Sequence, residues 1–157
     1  MTRRRSGGTI TPVALAVAAH AGRVFLFRGE DTAAREEFYR PMGGAIAFGE
    51  RAMATAERVV ERDMSTGFLG ARQLGVLENV YTRDGTTQHE ICFVFLGAFA
   101  DRQVYEHDTV ELTEGDEIVA HGGWHDLNQL AAADSPRVYP DGLLEVVAAS
   151  QRPTSPY

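Results

Sequence analysis

Between Gly43 and Phe68 the chain sets charged residues at spacings that could do chemistry. Gly44, Glu50 and Arg58 come in that order, and Val59, Val60, Arg62 and Asp63 follow directly. The run from Glu50 to Thr66 holds neither proline nor glycine and is predicted to form a helix. At about 100° per residue, Val59, Arg62 and Asp63 share one stripe, near 0°, 300° and 40°, whereas Glu57 and Glu61 point away, near 160° and 200°. A carboxylate on such a stripe suits a hard cation such as magnesium, which takes oxygen ligands. A guanidinium there does the reverse: it repels a dication at about 4 Å by roughly 8 kcal/mol at an effective dielectric near 20, before salt screening. The same group grips phosphate or carboxylate. Arg62 therefore has two readings, a contact for an anionic ligand or a solvated side chain paired with Asp63, Glu57 or Glu61.

This order and spacing resembles the box of the Nudix hydrolase family, G-x(5)-E-x(7)-R-E-U-x-E-E-x-G-U, in which U is a bulky aliphatic residue. Gly44, Glu50 and Arg58 match its first three fixed points and Val60 its aliphatic one. Val59, Arg62 and Asp63 stand where the family carries three metal-binding glutamates, and Ser65-Thr66 replace its glycine and aliphatic residue. A register built on Gly67-Phe68 would put Glu61 on the first glutamate but loses the arginine and the glutamate pair. The box is thus degenerate, with one carboxylate left of three.

The resemblance spans residues 10 to 148 and implies an α/β/α sandwich with a mixed β-sheet and the box on a loop-helix-loop. It implies as catalytic positions Glu50, Arg58, Arg62 and Asp63, the first two equally suited to bracing the box. For substrate contact it implies Tyr39, Arg40, Gly43, Gly44 and Glu90, with core packing the competing role for Tyr39. Any metal would fall to Asp63, helped by an acid from the Glu106–Glu117 stretch, of which Glu114 and Glu117 are named. The ancestral activity implied is hydrolysis of nucleoside diphosphates linked to another group, with magnesium or manganese as cofactor. Given the altered box, metal-dependent turnover is expected to be strongly reduced or lost. Two alternatives stay open: a non-hydrolytic protein that binds a nucleotide or other anion, and an enzyme turned to metal-independent chemistry, each without a metal cofactor. The expected partner is a small, phosphorylated molecule, and relatives of this kind suggest a homodimer.

The remaining chain must position these groups. Its 157 residues, 44% hydrophobic and 24% charged, suit one domain over residues 10–149 with a sizeable core, a disordered basic tail at 1–9 and a flexible tail at 150–157. A net charge of −7 argues against nonspecific binding to nucleic acid or membranes. Arg3-Arg4-Arg5 before an apolar run imitates a secretory signal. Val13, Leu15 and Val17, however, alternate with alanines and are followed across Ala21-Gly22 by Val24 to Phe27, which reads as paired strands and a cytoplasmic protein. Asp31–Glu37 is expected to be a loop over a pocket mouth and Glu106–Glu117 a solvated acidic loop. Gln73–Tyr81 and His89–Phe99 read as a hairpin turning through Thr82–Thr87. Ile118–Trp124 reads as the last strand and Gly142–Ala149 as a closing helix. Cys92 is the sole cysteine, which excludes an intramolecular disulfide, and it is expected to be a small buried residue.

Overall fold

A computed structural model describes residues 7–151; the side chain of Glu114 and the outer parts of both expected tails, 1–6 and 152–157, lie outside the described residues. The centre is β1 (Ile10–His20), buried without a break from Val13 to Ala18. Such a run needs neighbours on both edges and both faces, and β1 has them. It pairs in parallel with β6 (Thr86–Phe99), from Ile10↔His89 to Ala18↔Gly97, and antiparallel with β4 (Met42–Ala45), from Val13↔Ala45 to Ala16↔Met42. Where β4 ends, β2 (Arg23–Asp31) takes over at Ala19↔Val24 and His20↔Arg23. The expected hairpin across Ala21-Gly22 therefore exists, but only two residue pairs long.

Alternation along β1 sorts the core. Ala14, Ala16 and Ala18 face α1 (Ala52–Met64) through a cluster containing Val59, Val60, Phe25 and Phe95. Val13, Leu15 and Val17 face the other way, onto Leu130 of α2 (Leu127–Leu130) and Leu143 and Val147 of α3 (Leu143–Ser150). Helices thus cover both faces of a mixed sheet, as expected. Alanines on one face let the α1 backbone come close; larger aliphatics fill the other.

Three segments depart from the sequence reading, each for a physical reason. Asp31–Glu37 is not a loop: β2 runs to Asp31, β3 (Glu36–Arg40) returns from Glu36, and a short turn joins them. Its tip is pinned by Thr32, whose Oγ1 donates to Asp84 Oδ1 at 2.6 Å. The acidic Glu106–Glu117 stretch contains β7 (Thr109–Glu114), paired with β8 (Glu117–Asp126). Val110 and Leu112 pack on the α1-side core while Glu111 is exposed, a period-two pattern that the charge of the segment concealed. Finally β5 spans Phe68–Arg83, beyond the expected Gln73–Tyr81, because register shifts near Gly70 and Gly75 interrupt its alternation. The β5–β6 turn tightens to Asp84-Gly85, both with positive φ, the geometry that matches strand twist in a two-residue hairpin. The strand over Ile118–Trp124 is not the last: β9 (Arg137–Val138) follows it and adds a short parallel pair to β3, within a stretch too short to show any alternation.

The helix of the box is shorter than the proline- and glycine-free run. Arg51 is its extended N-cap, and Ser65 ends it in the left-handed region at φ 52°, donating its N–H to Glu61 O at 3.0 Å. The helix therefore stops at Met64, short of the expected Thr66. Ser65 holds the position of the family's box glycine, and its conformation is one that glycine adopts without steric cost. Ser65→Gly is expected to raise unfolding stability by up to about 1 kcal/mol, the relief of left-handed strain exceeding the added unfolded-state entropy, as read from urea denaturation.

Candidate functional site

Glu50 is the most heavily engaged carboxylate of the box. Its Oε1 accepts from Thr55 Oγ1 at 2.6 Å and Arg58 Nη2 at 3.1 Å, and its Oε2 accepts from Arg58 Nε at 3.0 Å. The Ala47 N–H approaches it at 3.5 Å, and Arg58 Nη2 also reaches Ala45 O at 3.4 Å. One turn of helix is thereby tied to the end of β4 and the loop after it. The hydrogen bonds from Arg58 and then Thr55 hold the Glu50 carboxyl well below its ordinary value, at about 2. The same contact raises Arg58. Both residues named as catalytic at the start of the box are thus committed to each other.

The stripe expected to carry the chemistry is present in that register. Val59 is fully buried, and a Cβ on Gly44 would lie 2.9 Å from Val59 Cγ2 and 3.9 Å from Arg62 Nη1. Gly44 therefore marks a close approach of β4 to α1, while Gly43 turns to the opposite face, where a Cβ would meet Leu15 Cδ2 at 2.6 Å. Arg62 grips Asp63 through two parallel bonds, Nε to Oδ1 at 2.7 Å and Nη2 to Oδ2 at 3.1 Å. This contact raises the pKa of Arg62. Glu57 and Glu61 are exposed on the far side, as the helical wheel requires.

These residues do not fit a divalent metal. Position 59 offers no oxygen, position 62 is a cation, and the single carboxylate is already held by that cation. Asp63 lines a depression of about 460 Å³ with Arg62, Asp101, His107 and Glu111. Among the described residues no group of three potential ligands could hold an ion. Of the acids named to assist, Glu117 is exposed at the β7–β8 turn and does not line this depression; the side chain of Glu114 lies outside the described residues.

Of the residues named for substrate contact, Arg40, Gly43, Gly44 and Glu90 meet in a cavity of about 210 Å³ on the α3 face of the sheet. Thr11, Val13 and Leu15 of β1 lie in register beside Glu90 and Cys92 of β6, and Asn79 of β5 lies opposite Glu90. Asn79 Nδ2 donates to Glu90 Oε1 at 3.4 Å. Burial, then Arg83, pushes the pKa of Arg40 down, while Asp63 raises it, so Arg40 feels both the cavity and the box helix. Tyr39 is elsewhere: its ring lies 4.4 Å from that of His125 beside a separate depression. Cys92 is buried, and its thiol is pushed up to about 12 by burial and the nearby Glu90, so it is no nucleophile at neutral pH.

The sequence reading missed Asn79, Tyr81, Arg83 and Tyr139 as cavity residues. Asn79, Tyr81 and Arg83 alternate on one strand, a signal available once β5 is extended to Arg83. Tyr139 is more than fifty positions away in the chain, and no local pattern links it to them.

Because the Glu50 carboxyl titrates lower when folded than when unfolded, its contribution is complete above the unfolded value near 4.5 and disappears as pH falls through about 2. Glu50→Gln is therefore expected to be less stable than the native protein at pH 7. That deficit should shrink between about pH 4.5 and 2, as measured by paired urea titrations across this range.

No family model matches the chain, and neither does any curated protein. Solved structures do. A MutT Nudix hydrolase from Burkholderia pseudomallei superposes with a TM-score of 0.54 at 20% identity, covering 77% of this chain and 86% of its own. A Nudix hydrolase from Nitrosomonas europaea gives 0.59 at 17% identity, covering 92% of each chain. Identities this low carry the fold and leave the activity open. With the box helix, the braced Glu50–Arg58 pair and the two-faced sheet in place, the chain has the Nudix fold.

Proposed function

We propose that this protein descends from enzymes that hydrolyse nucleoside diphosphates linked to another group. In it, metal-dependent hydrolysis is strongly reduced, and binding of a small phosphorylated or otherwise anionic molecule remains. The observation that carries this reading is the Arg62–Asp63 pair beside a fully buried Val59. The pair alone is a weak obstacle. Arg62 is half-exposed, and a surface ion pair is worth about 0–1 kcal/mol, so a metal would displace it at little cost. The displaced guanidinium would still stand beside the dication, and that repulsion, roughly 8 kcal/mol at about 4 Å before screening, is the larger effect. Two ligands are missing as well.

On the binding side, Arg40 and the Gly43-Gly44 backbone border a cavity whose neighbours Glu90 and Asn79 add an acceptor and a donor. Such a site can hold an anion against a guanidinium without a bridging ion. The likeness to MutT and Nudix hydrolase structures supports a phosphorylated ligand. Among the described residues no helix is long and apolar enough to cross a membrane.

A panel of nucleoside diphosphate derivatives with magnesium or manganese tests the reading. Turnover is expected to be near the uncatalysed background for the native protein, with Asp63→Asn changing it little. Arg62→Glu restores neighbouring acids and is expected to tighten manganese binding about tenfold or more by calorimetry. Rapid native turnover abolished by Asp63→Asn would overturn the proposal. Val59 is a poor site for the same repair, because a carboxylate there would be buried against Gly44.

A further inference from the structure

Arg83 closes β5 immediately before the Asp84-Gly85 turn. Its guanidinium lies 4.2 Å from the centroid of the Phe38 ring, 4.8 Å from that of Tyr81 and 6.0 Å from that of Tyr139. These contacts draw the cation to the rings electrostatically and do not use up its N–H donors as a carboxylate would. Elsewhere Arg58, Arg62 and Arg137 are each held by a carboxylate, but neither Arg83 nor Arg40 has such a partner among the described residues. No buried side-chain nitrogen or oxygen lacks a hydrogen bond among those residues, so the free donors of Arg83 and Arg40 open onto the cavity or solvent.

The acids nearby are already engaged. Asp84 Oδ1 accepts from Thr32, and Glu90 accepts from Asn79 and lies beside Tyr81. The cavity thus sets two guanidinium groups against one carboxylate, on a chain whose net charge is −7. An uncharged occupant would leave that excess uncompensated. A ring is favoured by the lining: Tyr81 and Tyr139, 5.4 Å apart between centroids, border the cavity together with the apolar Val13 and Leu15. At about 210 Å³ the half-open cavity is below the range of roughly 300–1,000 Å³ usual for drug-sized ligands, and suits one ring with one charged substituent.

We propose that Arg83 determines specificity in this cavity, and that the group it selects is a planar aromatic ring bearing a phosphate or carboxylate, in preference to an uncharged ring. This rests on the proposed binding role of the cavity and adds which end of the ligand carries charge. Phe38, Tyr81 and Tyr139 hold the guanidinium in place, and its fork meets the anion.

Calorimetry with phenyl phosphate, benzoate, phenol and inorganic phosphate tests this. Phenyl phosphate or benzoate is expected to bind at least about tenfold more tightly than phenol, and more tightly than inorganic phosphate; the comparison of the first two separates a phosphate from a carboxylate ligand. Arg83→Gln is expected to remove about tenfold or more of the affinity for the aryl anion while leaving phenol unchanged. Arg83→Lys, which keeps charge but loses the fork, should fall between, and Arg23→Gln on the surface should do nothing. The proposal is overturned if phenol matches phenyl phosphate, if inorganic phosphate matches it, if Arg83→Gln retains native selectivity, or if no aryl anion binds at millimolar concentration. Circular dichroism checks that the variants fold; should Arg83→Gln fail to, the native phenyl phosphate to phenol ratio together with Arg83→Lys decides. Rapid magnesium-dependent turnover would sink the reduced-hydrolysis reading and leave this selectivity intact, so the two fail separately.

Discussion

The close approach of α1 to the backbone of β4 is the constraint on which the site depends. Gly44 admits Val59 at a distance that no Cβ would tolerate, and Gly43, one residue earlier, admits Leu15 from the opposite face. A two-residue glycine step thus lets β4 be packed from both sides. Glu50 and Arg58 then fix the rotation of the helix relative to the loop that precedes it. Once that rotation is set, position 59 must point inward, and positions 62 and 63 must lie side by side at the rim.

Set beside the Nudix box that the sequence resembles, the proposed difference lies in the chemistry on a shared frame. A carboxylate at position 59 would have to be buried or repositioned; valine removes that cost and packs into the core. Arg62 puts a positive charge on the stripe that the resemblance assigns to glutamates, and Asp63 is its counter-ion. Shape and chemistry are separable here because the brace uses Glu50 and Arg58, whereas the Nudix box draws its metal ligands from the glutamates whose places, on this resemblance, are taken by positions 59, 62 and 63.

The same separation appears across the sheet. The cavity is assembled from β1, β4, β5, β6 and the segment before α3, and it faces away from α1. Arg40 is the link, since it feels Asp63 and Arg62 on the box helix as well as Arg83. A ligand reaching from the aromatic end toward the box would meet guanidinium groups along its course. That is a favourable field for an anion and an unfavourable one for a free divalent cation.

Much of this was legible in the chain. The spacing of Gly44, Glu50 and Arg58 pointed to the helix and the loop before it, and the wheel put Val59, Arg62 and Asp63 on one stripe, because helical geometry is local and nearly constant. Alternation in Val13, Leu15 and Val17 marked the central strand for the same reason. Local patterns failed where charge or bulges masked the period, as in β7 and in the early part of β5, and where a left-handed serine rather than a glycine ended the helix. Only tertiary structure decided that Arg62 closes on Asp63, that Tyr39 lies against His125, and that Arg83 sits among Phe38, Tyr81 and Tyr139. The reason is physical: residue type and spacing fix which face of an element a side chain takes. Which of several partners it meets depends on strand register and on segments far apart in sequence that converge only when the sheet is packed.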